Sequence, residues 1–152
     1  MKNLYEFIVK ASAATYAGGA KPEKRPERSG FLELVFREGD FYYRDSYTGF
    51  CRSRGMEVVR FKGKPIWSSS YGGGMVKGKE KLAEKTFNFL KTAMLAKDIS
   101  FQSFRGPKLL KEGDWKYQYQ QSGNVEEFSG YEKIFYKNQL VFFHKIIGGE
   151  IK

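Results

Sequence analysis

The run GDFYYRDSYTG at residues 39–49 recurs as GDWKYQYQQSG at 113–123, an offset of 74. After one inserted residue the match continues at an offset of 75, with GMEVVRFKGKPIW at 55–67 facing GYEKIFYKNQLVF at 130–142. Gly73 and Gly74 then face Gly148 and Gly149. A pattern that repeats in register makes each copy one supersecondary unit, completed by packing against its twin. Each copy also follows a helical pattern. Residues 3–17 place apolar side chains at 4, 7, 8, 11 and 14, the spacing of one helix face, with Asn3 placed to cap the start. Residues 79–97 carry a second stripe of Leu82, Phe89, Leu90, Ala93 and Met94, with lysines opposite. Asp98 and the FRGP at 104–107 end it.

Between the helices the period changes to two. FLELVF at 31–36 alternates, REGD forms a turn, and FYYRDSY is its partner strand. TGFCRS reads as a turn or bulge, GMEVVRF as a third strand, KGKP as a tight turn and IWSSSY as a fourth. YGGGMVKGKE breaks the chain. KLLKEGDWKYQYQ, EEFSGYEKIFY and QLVFFHKII repeat the meander. The expected fold is α+β: one helix and about four antiparallel strands, duplicated, the halves forming a curved, mostly antiparallel sheet packed by two helices. At 152 residues, this fits a single domain with one core, built of repeats 1–74 and 75–152.

A single cysteine, Cys51, excludes an internal disulfide and a cysteine-based metal cluster. Glu6 and Lys10 interrupt the N-terminal apolar run, so no signal-peptide core forms. No stretch reaches the roughly 20 apolar residues of a membrane span. A cytoplasmic protein without cofactor is expected. The net charge of +10 permits nucleic acid as a partner, although a solvated lysine-rich surface explains it as well. Seven of the eight arginines lie in the first half. Arg44, Arg52, Arg54 and Arg60 therefore form the candidate anion or nucleic-acid cluster, arginine forks suiting phosphate. GGMVKGKE at 73–80 nearly spells a phosphate loop, but Glu80 replaces the hydroxyl and the flanks are meanders. Only a weaker anion site at Lys77 and Lys79 survives.

The repeat supplies an internal control. Positions kept in both copies serve the shared fold; positions that differ are free to form a site. Gly39–Asp40 and Gly113–Asp114 are kept as turn chemistry. Tyr43 and Tyr117 are kept, as are Glu57 and Glu132 within G-x-E, and these read as structural. Phe41, Tyr43, Asp45 and Tyr47 share one strand face. Asp45 stands where the second copy has Tyr119, so a carboxylate lies on an aromatic face. It either caps the DSYTG turn, or is paired with a base, or faces a wet pocket, because a buried unpaired carboxylate is costly. Trp67, Ser69 and Tyr71 share a face, matched by Phe142, His144 and Ile146. His144, the only histidine, reads first as a satisfied buried side chain; one histidine builds no histidine-based metal site.

The string YRDSYTG, then GMEVV, then PIWSSSYGG resembles an uncharacterised family of small prokaryotic proteins, a domain of unknown function. The resemblance covers most of residues 4–76 and, more weakly, the second repeat. In some members the domain follows a helix-turn-helix regulator, which implies a sensing or accessory role. No separate helix-turn-helix segment is visible here, so a regulatory role would need a partner.

Three readings follow. First is a non-enzymatic domain that binds or senses a small molecule in a pocket of Tyr43, Asp45, Tyr47, Trp67, Tyr71 and His144. Second is a nucleic-acid module using the arginine cluster with Lys77 and Lys79. Last is an enzyme with Asp45 or Glu57 as acid/base. The oligomeric state is open.

Overall fold

Tight turns with left-handed backbone set the strand lengths. The structure, a computed structural model, describes residues 2–96 and 98–152. β1 (Leu32–Glu38), β2 (Phe41–Thr48), β3 (Arg52–Phe61) and β4 (Lys64–Met75) form one meander. β5 (Leu109–Glu112), β6 (Trp115–Gly123), β7 (Glu127–Tyr136) and β8 (Gln139–Glu150) form another. Lys62–Gly63 closes β3–β4 with φ of 49° and 80°, and Lys137–Asn138 closes β7–β8 with 48° and 62°. Two successive positive φ values are the type I′ signature, which matches the twist of the flanking strands.

The eight strands make one antiparallel sheet in the order β1-β2-β3-β4-β8-β7-β6-β5. The meanders meet through their last strands, Tyr71 standing opposite Ile146 and Gly73 opposite His144. The fold is therefore α+β, with an eight-stranded sheet and two helices. Helix α1 (Lys2–Ala14) and helix α2 (Ala83–Leu95) share one core with one face of the sheet. α1 contributes Phe7, Ile8 and Ala11, and α2 contributes Phe89, Leu90 and Ala93. Burial of these helix stripes supplies the main stabilisation that short helices lack alone.

The elements differ from the sequence reading in five places. α1 begins at Lys2, so Asn3 lies inside its first turn; the side chain of Asn3 lies outside the described structure. α2 is shorter than 79–97, being preceded by a single 3₁₀ turn at Glu80–Leu82 and ending at Leu95; Lys97 lies outside the described residues. β3 starts at Arg52, taking in residues assigned to a turn, and β4 runs on through its three glycines. Gly73 and Gly74 keep their pairing with β3 and β8 at φ of 150° and 137°, a backbone open only to glycine.

The fifth difference positions the site. The FRGP segment does more than stop a helix. Phe104 lies with its ring 5.6 Å from that of Trp67 and 4.3 Å from that of Phe128. The Gly106 N–H donates to Tyr117 Oη at 3.0 Å. Pinned on both sides, the segment turns Arg105 inward, where its side chain is 6% exposed. Among the described residues no helix is long and apolar enough to cross a membrane.

Candidate functional site

The period-two reading of β2 holds: Tyr43 and Asp45 are buried on the helix-covered face, with Tyr47 half-buried beside them. Antiparallel register sets Asp45 opposite Glu57, so two carboxylates share one patch of the inner face. Glu57 is well supplied with donors. Tyr43 Oη donates to its Oε1 at 2.8 Å, and Ser69 Oγ donates to its Oε2. Asp45 accepts a single hydrogen bond among the described residues, from Tyr71 Oη at 2.8 Å. It does not cap its own turn. Tyr71 reaches Asp45 by lying across Gly55 of the neighbouring strand, where a Cβ would overlap the Tyr71 ring. Burial first, and then the facing Glu57, push the Asp45 carboxyl up to about 8. The Tyr71 hydroxyl and the Arg105 charge only partly oppose this.

The second meander carries the corresponding pair with a different outcome. Tyr117 Oη donates to Glu132 Oε2 at 2.8 Å. Arg105 adds Nη2 at 2.6 Å and Nε at 3.1 Å to Oε1. Burial alone would raise the Glu132 carboxyl, but Arg105 and the His144 hydrogen bond overcome it and hold the group at about 2. His144 Nδ1 lies 3.1 Å from Glu132 Oε1, and His144 Nε2 lies 3.2 Å from Ser53 Oγ. Burial shifts the imidazole below its ordinary value. It is therefore neutral at pH 7, with its proton on Nδ1, because an ionised carboxylate only accepts. Nε2 is left to accept from the Ser53 hydroxyl. So Glu132 has an arginine, whereas no cation forms an ion pair with Asp45 or Glu57 among the described residues.

These groups open on a cavity of about 430 Å³ between the helices and the sheet. Tyr16 from the turn after α1, Tyr47, Phe50 and Phe87 form its apolar walls. Asp45, Glu57, Tyr71, Ser53, His144 and Arg105 supply polar groups from the sheet side and the FRGP segment, and Glu84, Asn88 and Lys91 from α2. Tyr43, Asp45, Tyr47, Tyr71 and His144 thus line one space. Trp67 does not: it is fully buried against Phe104 and Phe128. Face-sharing placed it with Tyr71, but four residues of strand separate them by about 13 Å. Among the described residues no three His, Cys, Asp or Glu side chains converge as metal ligands.

Gly55 is expected to be as restrictive as this geometry requires. Gly55→Ala should cost about 1–3 kcal/mol, the range for forcing volume into a filled site. The urea midpoint checks it, and the loss should be smaller in a Tyr71→Ala background, which removes the ring that a Cβ would overlap.

The candidate arginines Arg44, Arg54 and Arg60 alternate onto the sheet face away from the helices. Arg44 there is ion-paired to the buried Glu33 and at 2.7 Å to Glu27. Arg54 folds back on the Ser53 carbonyl at 2.8 Å. Arg52 is exposed and Arg60 half-buried. Lys79 donates to Gln139 Oε1 at 2.6 Å, and Lys77 is exposed. The residues that the sequence reading missed are Ser53, assigned to a turn, and Arg105, assigned to a helix stop. Glu57 and Glu132 carried a visible signal, the repeated G-x-E beside a repeated tyrosine; both were read first as structural, with Glu57 also held as an acid/base in the last reading.

Comparison with curated proteins and with solved structures finds no match. A family model described as a domain of unknown function (DUF5680) matches residues 45–151. The match begins at Asp45 and runs through the whole second meander, the part in which the sequence resemblance was the weaker. Covering well over half of the chain, it shows that the protein belongs to this family of domains of unknown function.

Proposed function

We propose that the cavity binds a small organic cation with an apolar or aromatic body, and that the protein serves as a recognition or sensing domain. The observation that carries this is the Asp45–Glu57 pair, buried together, without a cation of its own, on an aromatic-walled cavity of about 430 Å³. Ligand pockets of this size are mostly apolar with a few convergent polar groups. A cation entering here meets carboxylate oxygen and the faces of tyrosine and phenylalanine, both of which attract positive charge. It also replaces the proton that Asp45 holds.

Duplication of one unit explains why the site is on one side. The two buried Tyr–Glu bonds, Tyr43–Glu57 and Tyr117–Glu132, occupy corresponding positions and are both 2.8 Å long. The mirrored strand order supports the same reading, with residues 1–152 as a single domain of two repeats. In the second half Tyr119 lies over Gly130 and fills the space. In the first half Asp45 stands in its place. Tyr71 takes the position over the equivalent Gly55, and the cavity opens beside Asp45.

In a thermal-shift assay, phenylethylamine should raise the melting temperature and the neutral 2-phenylethanol should not. At a hundredfold excess over Kd the stabilisation is about 2.7 kcal/mol. Asp45→Asn should abolish the difference between the two compounds. Equal responses to amine and alcohol would remove the cation from the account.

A further inference from the structure

We infer that Ser53, His144 and Glu132 form an acyl-transfer relay, and that the cavity hydrolyses a small carboxylic ester. The three residues lie in one row across the sheet. Ser53 on β3 stands opposite Gly73 on β4, Gly73 opposite His144 on β8, and His144 opposite Glu132 on β7. Directly paired residues of an antiparallel sheet share a face. Gly73 leaves a gap in the row, and the imidazole crosses it: a Cβ at Gly73 would lie 3.0 Å from His144 Cδ2. That gap lets Nε2 come within 3.2 Å of Ser53 Oγ while Nδ1 stays 3.1 Å from Glu132 Oε1.

The order of groups is that of a nucleophile, a base and an orienting carboxylate, recognised by geometry rather than by chain position. Ser53 and His144 both face the cavity, and so does Arg105. With Arg105 Nε and Nη2 committed to Glu132, Nη1 has no partner among the described residues and is the donor for a developing oxyanion. Ser53 Oγ forms a bond to the ester carbonyl carbon as His144 Nε2 takes the hydroxyl proton. The carbon–alkoxy bond then breaks, and His144 returns that proton to the departing alcohol. Water repeats the cycle at the acyl-serine, releasing the carboxylic acid and restoring the Ser53 hydroxyl. The sum is ester plus water to acid plus alcohol. Ser53 and His144 are the catalytic residues; Glu132 positions His144 and fixes its tautomer.

This step rests on the cavity but not on its cation, so a neutral probe separates the two. The full chain is treated with an uncharged alkyl fluorophosphonate, and the adduct is mapped by mass spectrometry. One adduct on Ser53 is expected. Ser53→Ala should not label, and His144→Gln should label more slowly by about 100-fold or more, the usual contribution of a general base. The positioning role has its own signature: a far-downfield proton NMR resonance from His144 Nδ1–H, present in the wild type and absent from His144→Gln. A folded wild type with no adduct on Ser53, or one labelled equally fast in His144→Gln, overturns the relay. The same outcome leaves cation binding at Asp45 untouched, and failure of cation binding leaves the labelling result standing.

Discussion

Glu132→Gln is expected to destabilise the protein by about 3–5 kcal/mol, the usual cost of breaking a buried ion pair from one side. Glu132 is fully buried and joins three donors from three parts of the chain: Tyr117, Arg105 and His144. Glutamine keeps the shape but not the charge. Arg105 would then be a nearly buried cation without its counter-charge. The FRGP segment should loosen with it, since its arginine is one of its anchors. Urea unfolding at pH 7 checks the size, and hydrogen exchange across residues 98–108 checks the place. The carboxylate also sets an acid limit. Its folded value of about 2 lies below its ordinary value of 4.5. This contribution is therefore present above pH 4.5 and is lost as the pH falls towards 2. Glu132→Gln should flatten that acid limb.

Asp45 is expected to act in the opposite direction. Its carboxyl is raised from 3.8 to about 8. Between those values the unfolded chain has lost the proton and the folded chain still holds it, so stability falls as pH rises. One proton corresponds to a slope of about 1.4 kcal/mol per pH unit. Asp45→Asn keeps an acceptor for Tyr71 and removes the titration. The variant should gain on the wild type steadily from pH 5 to pH 8 and keep a constant advantage above that. His144, whose value is lowered, makes stability rise with pH through the region of its ordinary value. Because it is present in both proteins, the difference between their denaturation midpoints isolates Asp45. Equal slopes would mean that Asp45 is ionised throughout.

The parts of the fold legible in the sequence are those fixed by local rules. Period-two alternation placed Tyr43, Asp45 and Tyr47 on the inner face, and the helical spacing of Phe89, Leu90 and Ala93 marked the buried side of α2. Turn residues separated the strands. The repeat directed attention to Asp45, because a residue that differs between copies of one backbone is released from the shared fold. Contacts made by insertion across strands were not legible. The Tyr71–Asp45 bond spans 26 residues and depends on an empty position at Gly55. His144 reaches Ser53 over Gly73 for the same reason. Gly73 looked like part of a break and Gly55 like a strand end, yet both are where side chains cross. Arg105 lies in a segment with no periodicity, so nothing local reports that it turns inward. Trp67 shows the converse limit: alternation assigns a face but not a distance along the strand.

Isothermal titration calorimetry of phenylethylamine at pH 7, in two buffers of different ionisation enthalpy, tests the central claim most directly. Asp45, with its value near 8, is about nine-tenths protonated at pH 7. Binding of a cation against it should release about 0.9 proton per ligand, and Asp45→Asn should release none. Binding with no proton release in the wild type, or the same release in Asp45→Asn, would contradict the placement of the ligand's charge on Asp45.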